Sequence, residues 1–415
     1  MMKIHVHSCL FWLFFLAFTS CQQPSQQNEG TSNDISIHTN FEGGNLGEVR
    51  QIEANHWECA VAGESDSEDR NRQASWYYFR IDGAQGEKLT IDLTKLLGEY
   101  NYKPGAHAIT AETRPVISYD QKEWRHLNDN EVEWNEEKVE LRLKIRPEEN
   151  KMWVAHQPPY TTARLDQLLN SFQGDPFVQM NQIGESAEGQ ALHLLTITNP
   201  EAPQENKKVI WLMARQHSWE SGTSWVMEGA LKYLLEAEEG KELLDQNIFK
   251  LMPMADPDGV ARGGVRFNTF GHDLNRNWDL VIPEEMPEIY AQKTAIVNWL
   301  LQGKKIDIFL TLHNTEAADY IQGPDLPVGQ RLFDYMSEHS SFKDERGLRE
   351  MPATTTESQR GRMTVNQALW AEQKVPAYLM ELKVEEVEKL NARRSVDDWL
   401  ALGPEIVKGL VAAVE

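Results

Sequence analysis

His217 and Glu220 stand three residues apart in ARQHSWESGTSWVMEGALKYLL, and another histidine, His313, closes the apolar run IDIFLTLH. Imidazole and carboxylate are the ligands of catalytic zinc sites, in which three protein groups leave a fourth position open to water. A structural zinc would want four ligands, usually with cysteine, and the chain from residue 157 onward contains no cysteine. Taken singly, each residue also has a plain reading. His-x-x-Glu can be two polar residues at the mouth of a helix, and His313 a hydrogen-bonded core histidine.

Placement sharpens the choice. KKVIWLMAR has the apolar content of a buried strand, and SGTSWVMEGALKYLL opens with Ser and Thr that can cap a helix. His217 and Glu220 therefore fall where a strand end passes into a helix, the position at which open α/β sheets carry their sites. His313 falls at a second strand end. Between them runs MADPDGVARGGVRFNTFGHDLNRNWD, rich in Gly, Asp and Asn and too irregular for a helix. It reads either as a surface loop held by Asx turns or as a functional loop, the more usual role of long ones. Its Arg266, Asn275 and Arg276 include the planar forks that suit carboxylates.

These elements belong to a chain of two characters. From residue 41 to 156, WYYFRI, KLTIDL, RPVISY, VELRLKI and MWVAH are short aromatic and β-branched runs between turn clusters, which predicts an antiparallel β-sandwich. From 157 to 415 strands alternate with amphipathic helices, which predicts an α/β domain with a mostly covered sheet. Residues 1–21, with Lys3, an apolar core and a final FTSC, have the form of a lipoprotein-type signal peptide. Residues 22–40 have the composition of a flexible tether. The expectation is an exported protein of the periplasm or cell surface, carried at the outer membrane by a lipid on Cys21. Only Cys59 would then remain as a free thiol, so no disulfide framework is expected. The formal net charge of −23 excludes the basic footprint of a nucleic-acid binder.

The order H-x-x-E, P-D-G, G-x-D-L-N-R-N-W, strand-His, strand-Glu resembles the zinc carboxypeptidase (carboxypeptidase A-like) family over most of 159–415. It is most similar to the cytosolic-carboxypeptidase-like subfamily, whose β domain resembles the WYYFRI and RPVISYDQKEW runs. The resemblance implies a mixed central sheet flanked by helices, and one Zn2+ on His217, Glu220 and His313. It further implies Glu381 (in YLMELK) as general base, Arg266 as oxyanion stabiliser, and Asn275 with Arg276 as the grip on a peptide's free C-terminal carboxylate. Such a protein is a metallocarboxypeptidase acting on peptides.

Departures from the pattern raise questions. Ser218 and Trp219 stand before the ligand glutamate where the subfamily signature has glycine, and NTE follows His313. TTTESQRGRMTVNQALWAEQ lacks the tyrosine of pancreatic-type members and carries Arg360 and Arg362. Those arginines either favour an acidic C-terminal residue in the substrate or are solvated loop residues. Two other readings stand beside the peptidase: an envelope enzyme trimming peptidoglycan stem peptides, and an inactive lipoprotein that binds peptide or glycan.

Overall fold

The computed structural model describes residues 35–351 and 360–415. The expected signal peptide and Cys21 lie outside the described residues. The expected tether runs too far, because Ser36–His38 is already a strand, paired antiparallel with Tyr78–Asp82.

The amino-terminal region is a sandwich of two five-stranded sheets. Period-2 alternation builds its core: Tyr77, Phe79 and Ile81 from one sheet meet Leu89, Ile91, Leu93, Leu141 and Leu143 from the other. One pair departs from the antiparallel expectation. His56–Ala60 runs parallel to Leu89–Thr94, because the chain between them leaves to build the other sheet and part of a small four-stranded one. An excursion of that length permits parallel pairing. Cys59 is buried as a free thiol in this core.

The second region holds a mixed eight-stranded sheet. Four central strands, Asn247–Met252, Lys208–Ala214, Ile308–Thr315 and Ala377–Lys383, are mutually parallel in that spatial order. Both faces are covered, and the strands sort their side chains by parity. Ile210, Leu212, Leu310, Leu312, Met380 and Leu382 enter one core, against the helices Ser221–Glu236 and Val396–Val414. Val209, Trp211, Met213, Phe309 and Ala377 enter the other, against Pro287–Leu301 and Val365–Gln373. The two helices on the first face cross at Gly229 and Gly403. A Cβ on Gly229 would lie 2.0 Å from the Leu400 carbonyl oxygen, so the crossing requires glycine there.

The two regions share a core of their own. Tyr78, Val116 and Ala155 point away from the sandwich interior and pack with Trp76 against Trp219 and Val265. Trp219, the departure that sequence left undecided, is thus chiefly a packing residue, although it also borders the cleft described below. Among the described residues no helix is long and apolar enough to cross a membrane.

Candidate metal centre and substrate cleft

Strand parity explains how two distant residues reach one place. His313 shares a face with Thr311 and Phe309, and Glu381 shares one with Leu379 and Ala377. Parallel pairing sets His313 beside Glu381 in register. On the far side Tyr320 pairs with Glu381 in antiparallel register, with its hydroxyl 3.5 Å from Glu381 Oε1. His313, Glu381 and Tyr320 thus stand side by side across three strands.

His217 reaches the same place from the loop after Lys208–Ala214. That loop turns at Arg215, whose φ of +61° is unusual for a residue with a Cβ. The Arg215 side chain holds the turn: buried, it donates through Nε to the Ser218 carbonyl (2.9 Å) and through Nη1 to Ser224 Oγ (2.9 Å). Glu220 then occupies the position just before the helix Ser221–Glu236.

His217, Glu220 and His313 are all buried and present one donor atom each within 4.8 Å of one another. Nδ1 of His217 lies 2.6 Å from Glu220 Oε1, and Nδ1 of His313 lies 2.9 Å from Glu220 Oε2. The second contact lacks hydrogen-bond geometry, which leaves a buried carboxylate oxygen without a hydrogen-bond partner. Two imidazole nitrogens and a carboxylate converging this way, with an orphaned oxygen, fit a zinc ion. Burial alone would raise the Glu220 pKa, but the two imidazoles beside it bring it down to about 2. The carboxylate is therefore ionised and ready to ligate.

The opposite ring nitrogens are tied down, as metal-bound histidines usually are. His217 Nε2 is 3.0 Å from Asp273 Oδ1. His313 Nε2 is 3.1 Å from Gln216 Oε1 and 3.1 Å from Asn275 Nδ2. Asp273 also accepts from Arg266 Nε at 2.7 Å, so one carboxylate contacts both His217 and the arginine. Burial opposes its ionisation, but Arg266 and His217 hold Asp273 well below the usual carboxylate range.

His217, Glu220, Glu381, Arg266, Asn275 and Arg276 line one cleft of about 360 Å³. Its lining also includes Arg72, Tyr100 and His107, from the small four-stranded sheet of the amino-terminal region and the segment that follows it. Glu381 is raised to about 8, first by burial and then by the nearby Glu220 carboxylate, and its Oε2 has no hydrogen-bond partner. Asn275 is fastened by its Oδ1, which accepts the Val365 N–H at 3.0 Å. Arg276 Nη1 donates to the Asn275 carbonyl at 2.7 Å.

Two of the sequence-derived candidates fall elsewhere. Arg360 and Arg362 line a second cavity, with Arg70, Asn71 and Leu280, and not the cleft. Their backbone explains it: Gly361 and Met363 N–H groups are tied at 2.8 and 2.9 Å to the carboxylate of Asp279, the residue after DLNRNW. Conversely, Asp273, Gln216 and Tyr320 were missed. Asp273 stands directly before LNRNW and was legible there as an acid beside candidate site residues. Tyr320 carried no local signal, since only strand pairing brings it to Glu381.

Comparison with known proteins agrees with this geometry. Residues 165–322 match the family described as zinc carboxypeptidase, and residues 37–156 match the cytosolic carboxypeptidase N-terminal domain. The chain thus carries, in order, an amino-terminal domain of the cytosolic-carboxypeptidase type and a zinc carboxypeptidase domain. It is 26% identical to mouse cytosolic carboxypeptidase 3 over 355 residues, 80% of this chain and 33% of that protein. With human cytosolic carboxypeptidase 2 it shares 28% over 308 residues, 68% of this chain and 33% of that one. The chain thus spans about a third of the length of these relatives.

Its fold is that of a metallo-carboxypeptidase from Burkholderia cenocepacia (TM-score 0.76, 23% identity, 92% of this chain and 98% of that one). A metallo-carboxypeptidase from Pseudomonas aeruginosa, solved with (2-guanidinoethylmercapto)succinic acid, gives a TM-score of 0.74 at 21% identity, over 92% of this chain and 100% of that one. These comparisons overturn the expectation of an exported, outer-membrane lipoprotein. The relatives are named cytosolic carboxypeptidases, and the sandwich matches the amino-terminal domain of that type. A short apolar amino terminus ending in cysteine is weak ground against two domains matched in order.

Proposed function

We propose that the protein is a zinc-dependent carboxypeptidase that removes the last residue of a peptide. The observation that carries this reading is one cleft lined by His217 and Glu220 of the metal-type cluster, a half-buried glutamate, Glu381, with a carboxylate oxygen that lacks a hydrogen-bond partner, and an arginine and asparagine–arginine pair. His217, Glu220 and His313 would hold the zinc, which when bound supplies Lewis acidity and lowers the pKa of a water toward about 7.

The chain's own residues do the rest. Glu381 takes the proton of the attacking water and passes it to the leaving amine. Arg266, fixed by Asp273, donates to the carbonyl oxygen as negative charge develops there, a contribution of roughly 3 kcal/mol for one well-placed donor. Arg276, with Asn275, holds the free carboxylate, so that hydrolysis falls at the terminal peptide bond. The family match ends at residue 322, so the role of Glu381 rests on its register with His313 and its place in the cleft.

The test is release of C-terminal residues from a mixed peptide library by the full chain, with and without a zinc chelator, beside Glu381→Gln. Chelator-sensitive release of single terminal residues that is lost in the variant is the expected result. Release that persists in both conditions would remove the reading.

A further inference from the structure

Arg266 sits in a stretch of backbone with little structure of its own. Between the short helix Pro257–Arg262 and Pro287–Leu301 the only pairing among these residues is an isolated bridge, Phe267 to Asp273. The peptide groups of such a segment must find partners elsewhere. They find them in the sandwich region. Glu64, in the strand Glu64–Ser65, accepts three consecutive backbone N–H groups through Oε2: Val265 at 2.9 Å, Arg266 at 2.5 Å and Phe267 at 2.8 Å. Its Oε1 accepts from Arg262 Nη2 at 3.0 Å.

Three successive amides pointing at one oxygen form an anion-binding concavity, and here the anion comes from the chain itself, some 200 residues away. Bonds to a carboxylate are charge-assisted and stronger than neutral ones. Asn45 Nδ2 to the Gly263 carbonyl (2.5 Å) and Ser67 N–H to the Gly271 carbonyl (3.0 Å) fix the segment on either side. Close approach leaves no slack, since a Cβ on Gly271 would lie 2.6 Å from Ser67 N.

We infer that Glu64 is a positioning residue for Arg266, so that the sandwich region completes the oxyanion-binding half of the cleft. The inference rests on the reading of the cleft as a carboxypeptidase site. Glu64 is not among the cleft-lining residues, and it acts through the backbone that carries Arg266. The candidate metal ligands have supports of their own: His313 lies in a strand of the sheet, and His217 and Glu220 lie on the turn held by Arg215. Removal of Glu64 should therefore lower kcat while zinc content and KM are kept. A misplacement of about 1 Å at a reacting centre can cost on the order of 100-fold.

The experiment is a double-mutant cycle on the full zinc-loaded chain, with the best-cleaved peptide of a panel differing in the C-terminal residue. Glu64→Ala is expected to reduce kcat about 10- to 100-fold with KM within about threefold. In an Arg266→Ala background the same change should cost less than about twofold, because the group it positions is gone. Glu64→Gln, which keeps one acceptor for the amides but turns an NH2 toward Arg262, should fall between. Full cost of Glu64→Ala in the Arg266→Ala background, or unchanged kcat in the single variant, would overturn the inference. Amide hydrogen exchange gives a readout independent of turnover. Val265, Arg266 and Phe267 should exchange slowly in the parent and at least about tenfold faster in Glu64→Ala. Should the parent cleave no peptide, the reading of the cleft fails, and exchange alone decides whether Glu64 holds the loop.

Discussion

The two halves of the cleft are built by different means. The metal half takes its residues from the ends of parallel strands and the start of one helix: His313 and Glu381 in register, His217 and Glu220 on a turn held by Arg215. The substrate half takes Arg266, Asn275 and Arg276 from irregular chain that is fastened to other parts of the molecule. Strand ends are placed by a ladder of hydrogen bonds and by two packed faces, so their geometry follows from the sheet. A loop has no ladder, so each of its positions needs a separate tie. Asp273 is where the halves meet, bonded to His217 on one side and Arg266 on the other.

If that division is right, substitutions on the two sides should fail differently. The largest loss is expected for His217→Ala or His313→Ala, which should abolish zinc binding and hydrolysis together, read by metal analysis of the dialysed protein. Chelation of the parent should reproduce that loss and added zinc should reverse it. Next, Glu381→Gln should lower kcat by about 10³-fold while zinc stays bound. A variant that lost its metal would show that Glu381 belongs to the ligand set. Arg266→Ala should cost roughly 100-fold in kcat with little change in KM, whereas Arg276→Ala should act mainly through KM, raising it about tenfold if the arginine grips the substrate in the ground state. Asp273→Asn should combine both signatures, with zinc affinity weakened about 10- to 100-fold and kcat reduced, since it serves both halves. Smallest of all, Arg360→Ala should leave the preference among C-terminal residues within about twofold, because Arg360 lines the other cavity. A lost preference for acidic termini would return it to the cleft.

Much of this was legible beforehand, and unevenly so. The three residues that cluster as candidate ligands could be picked out because they sit at the junctions of strongly patterned segments, KKVIWLMAR into a helix and the apolar run into His313. The family resemblance named Glu381, at the end of a strand, but its neighbour Tyr320 became visible only through antiparallel pairing. Arg360 and Arg362 illustrate the reverse case. Their charge left a substrate contact and a solvated loop both open, and they line a different cavity, where Asp279 ties the backbone around them. The amino terminus misled for a related reason, since an apolar run closed by cysteine is a local signal that does not depend on the fold.

What the sequence determined by itself is whatever depends on local chemistry and period. That includes the division into a strand-rich and an alternating region, the donor set for a metal, and the residues fit to hold a carboxylate. Only the tertiary structure decided that the small four-stranded sheet borders the cleft, that Trp219 packs into the shared core, and that Glu64 accepts three amides around Arg266. The reason is physical. Periodicity records which face of an element is buried, whereas contact between residues 64 and 266 follows from how two sheets and a loop close on one another.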